Sequence, residues 1–453
     1  MEQTSKLLLR SSSSADTTPE VGLLLGHALS QEYSKVVVGM DLMKSSMMMK
    51  NALIAGLISS GTDVIDIGVV SEPAAAYAAR MGDCCVYVTE FRQLDLMSGY
   101  LLIDKDGSFF GIDQIRHLEM VSERPKKNPD YKSLGSVKEY YNATVDYSNL
   151  LKKTMMEVSG GAMILNCNCG LATESAPQIL NTIGTDIICI NAQKDRDFIS
   201  NSLSTRETDI RHMRALVEAS PGSVGVSINR IGTLMRVFDE SGDFLSDEQV
   251  LAMLILYLKP RRIVVPMNMT WMIPDVFAGK VDVGISTPFP DPNAEEAKVI
   301  FAPPSAGAIH KAMAQNDADL GFYRGGYVFR DLSLSPDAIY ASIVLSQFSA
   351  NNSLRDAISK LPEYFREEKT YKISCSHEDF IRMMNATLPE ISPTKTYEAG
   401  YWRVEMPGGG FFISFDKDQE DEVYVFAESN DKLYLISLLE VIDNLMKTCE
   451  AGQ

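Results

Sequence analysis

The chain has 453 residues, 45% apolar and 23% charged, which is enough apolar material for several buried cores and excludes disorder as the main theme. Forty-two Lys and Arg against 60 Asp and Glu leave a formal net charge of −18, the wrong sign for binding nucleic acid or an anionic membrane surface. No apolar run approaches the roughly 20 residues of a transmembrane helix, residues 1–14 lack a secretory pattern, and the seven cysteines lack zinc-knuckle spacing, so a reduced, cytoplasmic protein is expected.

At roughly 100 to 200 residues per domain, the length predicts three or four compact units. Lys35 to Gly39 is a β-branched run; Ser45-Ser46 is a candidate cap, and the helical pattern Met47 to Leu57 stops at Gly61. The order repeats through Thr62 to Ile67, the Ala-rich Pro73 to Met81, and Cys84 to Thr89, which implies a mostly parallel sheet. A second cycle follows, with helix Ser148 to Val158, strand Ala162 to Cys167, helix Thr173 to Thr182, strand Asp186 to Ile190, helix Asp209 to Ala219 and strand Ser223 to Ile228. In a third, helix Asp247 to Leu258 precedes strands Arg262 to Pro266 and Lys298 to Phe301, with helices at Thr270 to Phe277, Ala306 to Ala314 and Pro336 to Phe348.

Past Tyr364 the rhythm changes. Strand Tyr371 to Cys375, helix Glu378 to Ala386, strands Trp402 to Met406, Gly410 to Phe415 and Glu422 to Ala427, and a last helix Lys432 to Met446 read as a smaller α+β unit. Pro407-Gly408-Gly409-Gly410 fits a turn between antiparallel strands. The histidines at 27, 117, 212, 310 and 377 show no ligand spacing, and none is a convincing base.

The run K-V-V-V-G-M-D-L-M-K-S-S, followed by N-A-L-I-A-G-L-I-S-S-G-T-D-V-I-D-I-G, over Lys35 to Gly68 closely resembles domain 1 of the phosphohexomutase family. The likeness continues through Gly225 to Leu258, Arg262 to Asn268, Leu320 to Asp331 and Glu422 to Glu428. It implies an α/β, four-domain architecture around a central cleft, with three α/β domains with mixed sheets at 1–145, 146–246 and 247–365 and a C-terminal α+β domain at 366–453. Each domain of the family contributes one loop to the cleft, where a phosphoserine exchanges its phosphoryl group with a hexose phosphate.

The loops of this chain depart from the family pattern. The nucleophile loop T-A-S-H-N-P falls on residues 89–94, where Phe91 stands at the serine position; a phenyl ring cannot carry a phosphoryl group. Leu101 replaces the family's cleft lysine, and Met40 and Met43 replace two arginines around the retained Asp41. The metal loop D-G-D-A-D-R falls on residues 229–234, with Asn229, Ile231 and Thr233 at the carboxylate positions, a poor set for Mg²⁺. The sugar loop falls on residues 320–326, where Phe322 replaces the glutamate. The phosphate loop R-P-S-G-T-E-P falls on residues 415–421, now Phe415 followed by an acidic run that would repel a phosphodianion. Of the family's opening F-G-T-x-G-x-R-G only Arg10 remains.

The resemblance therefore implies a phosphohexomutase homologue without a catalytic residue, metal or cofactor at the family positions, acting as a pseudoenzyme in a scaffold or regulatory role. An active phosphosugar mutase with repositioned groups, using a hydroxyl such as Thr89 or Ser98, stays open. Phe91, Arg92, Leu101, Ile231, Phe322, Tyr323, Arg324 and Phe415 are the candidates for a reshaped cleft, either closed over its own side chains or open to a partner. The expected partner is a protein: a second copy bound through domain 1, or a competent mutase paralogue. Nucleic acid and membrane are not expected, and phosphosugar binding is doubtful.

Overall fold

A computed structural model describes residues 19–92, 96–122, 124, 129–155, 158–197, 207–292, 296–373, 375–391, 393, 395–398, 401–415 and 422–451. The first sheet is built from β1 (Lys35–Met40), β2 (Asp63–Val69), β3 (Cys84–Arg92), β4 (Leu96–Asp104) and β5 (Val137–Glu139) in the order β4-β3-β1-β2-β5. All its pairs are parallel except β3 with β4. Helices α1 (Pro19–Glu32), α2 (Lys44–Ser59), α3 (Glu72–Ala78) and α4 (Ile112–Ser122) belong to the same unit.

The unforeseen helix α1 packs on α2 through glycines. A Cβ on Gly26 would lie 2.6 Å from the Leu53 carbonyl, and one on Gly56 would lie 2.4 Å from that of Leu23. Only hydrogen fits at such a crossing. Helix α2 starts at Lys44 without a side-chain cap, because Ser46, expected as part of that cap, donates its hydroxyl to the buried Asp41 instead.

The second unit holds α5 (Ala143–Thr154), β6 (Met163–Asn166), α6 (Ala176–Thr182), β7 (Ile187–Ile190), α7 (Glu207–Glu218), β8 (Val224–Ile228) and β9 (Met235–Phe238), with strand order β7-β6-β8-β9. Helix α5 starts five residues before the expected Ser148, because Ala143, Tyr147 and Leu151 recur at helical spacing and are all buried. The third unit holds α8 (Asp247–Leu258), β10 (Arg262–Pro266), α9 (Met272–Phe277), β11 (Lys298–Ala302), α10 (Ala306–Asn316), β12 (Leu320–Tyr323), β13 (Gly326–Phe329), α11 (Ala338–Ser349) and α12 (Leu354–Ser359), with strand order β11-β10-β12-β13. In each of these sheets three strands run parallel and the final hairpin reverses direction.

The last unit is antiparallel throughout. Strands β14 (Phe365–Lys372), β15 (Lys395–Glu398), β16 (Tyr401–Met406), β17 (Gly409–Phe415) and β18 (Glu422–Ser429) are ordered β14-β18-β17-β16-β15, with α13 (His377–Thr387) and α14 (Lys432–Ala451). Strand β14 begins six residues before the expected Tyr371; it is a charge-rich edge strand whose F-R-E-E-K-T-Y-K lacks the apolar signal of a central strand.

The first three units are not separate globules. One continuous apolar cluster runs from Val37 through Tyr147 and Leu254 to Ala357. The fourth has its own core around Phe380, Trp402 and Phe411. It meets the third through Met267, Trp271, Phe412 and Phe426.

Candidate functional site

All four loops singled out in the sequence fall between neighbouring strands that pair antiparallel. Residues 89–94 lie at the β3–β4 connection, 229–234 join β8 to β9, 320–326 contain the β12–β13 turn, and 415–421 lie between β17 and β18. In the first three units the tip is where the parallel run gives way to an antiparallel strand.

At the first tip, Phe91 pairs with Met97 and Arg92 with Leu96, so the chain remains in ladder geometry beyond Thr89. The side chains of Phe91 and Arg92, and residues 93–95, lie outside the described residues, as does Arg10. Leu101 packs, half-buried, against the common core. Beneath the tip Asp41 is buried and accepts hydrogen bonds from Met43 N (2.9 Å), Ser46 Oγ (2.5 Å) and Thr89 Oγ1 (3.0 Å). Thr89, a hydroxyl considered for altered phosphotransfer, thus serves as a buried donor to a carboxylate.

The second tip is closed by one side chain. Asn229 Oδ1 accepts from the backbone N–H groups of Gly232 (2.9 Å), Thr233 (2.8 Å) and Leu234 (3.2 Å), while its Nδ2 donates to Thr233 Oγ1 at 2.9 Å. An Asn that bonds its own turn in this way fixes the loop conformation from within. Ile231 presents its carbonyl to Glu72 N at 3.0 Å.

At the third tip Tyr323 pairs with Gly326, leaving only Arg324 and Gly325 in the turn, with φ of 47° and 77°. Positive φ at both central residues is the type I′ hairpin, a strained choice for arginine. Strand alternation sends Phe322 into the common core, where it is 4% exposed and packs against Tyr327. Tyr323 turns to the other face, donating to Pro304 O at 3.1 Å, and the exposed Arg324 lies over its ring. Asp247, at the start of α8, sits under the turn; it bonds Arg236 of β9 at 2.8 Å, and burial pushes its carboxyl above the ordinary range despite that arginine.

At the fourth tip Phe415 sits on the face shared with Phe411 and Ile413, packed against Phe380 and Trp402. Residues 416–421, with the expected acidic run, lie outside the described residues. Phe322 and Phe415 are therefore not brought together as a lining; each belongs to the core beneath its own tip. Ile231 reaches the first domain through its carbonyl, which accepts from Glu72 N at the start of α3.

Sequence reasoning missed the group at that contact. Glu72 is fully buried between the first three units, and burial raises its carboxyl to about 8, with Ser335 Oγ the hydrogen-bonding neighbour at 3.4 Å. Close by, Ala338 N donates to Gly232 O, and Tyr147 OH donates to both oxygens of Asp337 at 2.9 and 2.8 Å. Burial also lifts Asp337, to about 6. Glu72 sits inside an apolar S-E-P-A-A-A run, where a lone carboxylate reads as a helix-start residue; nothing local marks it as an interdomain contact.

Comparison with known proteins bears on this architecture. The family description "Phosphoglucomutase/phosphomannomutase, alpha/beta/alpha domain I" matches residues 9–128. A "probable phosphoglucosamine mutase" of Methanococcoides burtonii is 26% identical over 430 residues, 93% of this chain and 94% of that protein. Another, from Methanocella arvoryzae, is 26% identical over 435 residues and covers 95% of both. Among solved structures, a phosphoglucomutase/phosphomannomutase family protein from Burkholderia thailandensis superposes with a TM-score of 0.76 at 17% identity, covering 97% of this chain and 95% of that one.

Residues 9–128 thus match domain I of the phosphoglucomutase/phosphomannomutase family, and nearly the whole chain is similar to proteins described as phosphoglucosamine mutases. The four-unit α/β architecture of its relatives is the one described above. The Mg²⁺ that a phosphohexomutase employs does not fit the residues at the second tip of this chain. The Asn229 carboxamide oxygen already receives three backbone donors, Thr233 Oγ1 receives the Asn229 amide, and Ile231 has no donor atom in its side chain. A hard divalent cation needs several oxygens free to converge.

Proposed function

We propose that this phosphohexomutase homologue does not interconvert hexose phosphates by the family's phosphoserine mechanism, and that it acts as a non-catalytic scaffold or regulatory protein. The observation that carries this reading is the closed Asn229 loop, whose acceptors are consumed internally where a cation would have to be held. Phe91 at the nucleophile position supports it independently, since its side chain offers no oxygen. A protein partner fits the exposed apolar residues Tyr131, Leu134, Val137, Tyr141 and Val145, which flank the edge strand β5 of the first unit. A second copy of the chain is the first candidate there, and native mass spectrometry at micromolar concentration tests it: a dimer is expected, and a monomer throughout removes that role. No described helix is long and apolar enough to cross a membrane, and we assign the protein to the cytoplasm.

The second reading, an active phosphosugar mutase with repositioned groups, is favoured by the full-length relatives described as phosphoglucosamine mutases. One experiment separates the two. The purified chain is incubated with glucose 1,6-bisphosphate and Mg²⁺ and then weighed intact, and in parallel assayed with glucosamine 6-phosphate and glucose 6-phosphate. The first reading expects no phosphoryl adduct and no turnover. A stoichiometric adduct with turnover establishes the second, and Thr89→Ala and Ser98→Ala would then locate the acceptor.

A further inference from the structure

Residues 330–337 link β13 to α11, and on the way they touch both neighbouring units. In the first unit, Arg80 Nη2 donates to Leu332 O (2.9 Å), and Asp106 O accepts from Leu334 N (3.1 Å). Ser335 Oγ donates to Glu72 Oε1 at 3.4 Å. In the second unit, Tyr147 OH donates to Asp337, and Gly232 O accepts from Ala338 N (3.0 Å) at the start of α11. Leu332, Ser333, Leu334, Ser335 and Asp337 are all buried. The segment is a strap that fastens three units together.

One of its fastenings differs in kind. Glu72 is buried with a single long hydrogen bond from the strap, and no cation among the described residues pairs with it. An ionised carboxylate there lacks the partners that a buried charge requires, so the closed seam favours the neutral acid. The polar groups around it are engaged elsewhere. Tyr87 of β3 donates to Val70 O, Arg80 to the carbonyls of Tyr77 and Leu332, and Arg230 of the second tip to Asp195 O. Arg330 pairs with Asp317, Asp331 lies near Tyr340, Asp106 accepts from Ser108, and Asp41 accepts from Met43, Ser46 and Thr89. Asp337, at about 6, has already ionised at neutral pH, and burial pushes the Tyr87 and Tyr147 hydroxyls above their ordinary range. His310, which accepts from Phe109 N across the contact between the first and third units, is held down at about 4 by burial.

We propose that Glu72 is a proton-dependent catch on this strap: the protonated acid keeps the first unit fastened, and loss of its proton to water releases the strap while the rest of the fold stays intact. Release also parts Glu72 N from Ile231 O, so the Asn229 loop loses its bond to the first unit. The catch involves no phosphoryl chemistry and holds under either reading of the tips.

Three backbone bonds that cross between units report the catch directly: Glu72 N to Ile231 O, Leu334 N to Asp106 O, and Ala338 N to Gly232 O. Hydrogen exchange of the full chain, read by mass spectrometry and corrected for intrinsic rates, should show their protection falling about tenfold from pH 7 to pH 9. That is the shift required of a carboxyl that titrates at about 8 when closed and at its ordinary 4.5 when open. Exchange at the three amides should respond little to urea below the unfolding transition, because releasing a strap exposes little surface, whereas amides in the middle of α8 should respond strongly. Glu72→Gln, which mimics the neutral acid, should hold the protection of the other two amides constant over the same pH range. Exchange of the three amides with the rate and urea response of α8 overturns the proposal, since the strap then opens only when the whole chain unfolds. An equal fall with pH in Glu72→Gln overturns it as well, and should that variant not fold, the urea response of the unsubstituted chain decides alone.

Discussion

Asn229 and Glu72 show how a single side chain can decide what a loop or a seam is able to do. The Asn229 carboxamide oxygen converges with three backbone N–H groups of its own turn. Asn229→Ala should leave three backbone donors without that acceptor and destabilise the chain by about 1 to 3 kcal/mol, read from urea unfolding. Glu72 is an acid whose folded-state value, about 8, lies above its ordinary 4.5. Its favourable proton is bound by both states below about 4.5, and the advantage of the folded state is lost as pH rises through about 8. Stability should therefore fall between those limits, by an amount on the order of a few kcal/mol, whereas Glu72→Gln should fall much less steeply, above all between about pH 6 and 8 where Asp337 has already titrated, in urea titrations repeated along the pH scale. The identity of Phe91, Ile231 and Phe322 was legible in the sequence. The direction of Phe322 and Phe415 was not, because a one-residue change of strand register moves a side chain to the opposite face.

At the level of elements, the long apolar or Ala-rich runs were read well: β1, β2, β3, α8, β10 and α11 lie where their patterns put them. The returning strands β4, β9, β12 and β13 were not recognised as hairpin partners. Each is short or follows its neighbour so closely that strand, turn and strand merge into one polar-interrupted segment, as in L-G-F-Y-R-G-G-Y-V-F. Those strands also define the candidate site, so the loops could be found by resemblance while their geometry could not. Helix α8 shows a local signal that is complete: Ser246 caps Gln249 N, and Gln249 Oε1 accepts from Ser246 N in return. Ser246→Ala is expected to cost about 1 kcal/mol by chemical denaturation.

Across the whole molecule the core is divided unequally. Three units share one apolar cluster, and the fourth is attached by a compact polar and aromatic seam. In that seam Arg403 is completely buried, donates to Met267 O (3.0 Å) and Met269 O (2.5 Å), and lies 3.8 Å from the Trp271 ring centroid. Glu428 accepts from Trp271 N (2.7 Å) and Thr270 Oγ1 (2.9 Å), while Tyr364 donates to Asp275 at 2.5 Å. Arg403→Met combined with Glu428→Gln should uncouple the last unit. Calorimetry is then expected to resolve an early transition for the last unit, from β14 on, ahead of a single cooperative one for the remainder, and three separate transitions for the first three units would contradict the shared core.

The placement of all four loops between antiparallel-paired strands has a consequence for the engineering of this chain. A segment suspended between two paired strands can drift, shorten or be transplanted while the ladder beneath it stays in register. Tips of the family type could accordingly be grafted on one at a time, the second with its bonds to Glu72 and Ala338 of the neighbouring units kept.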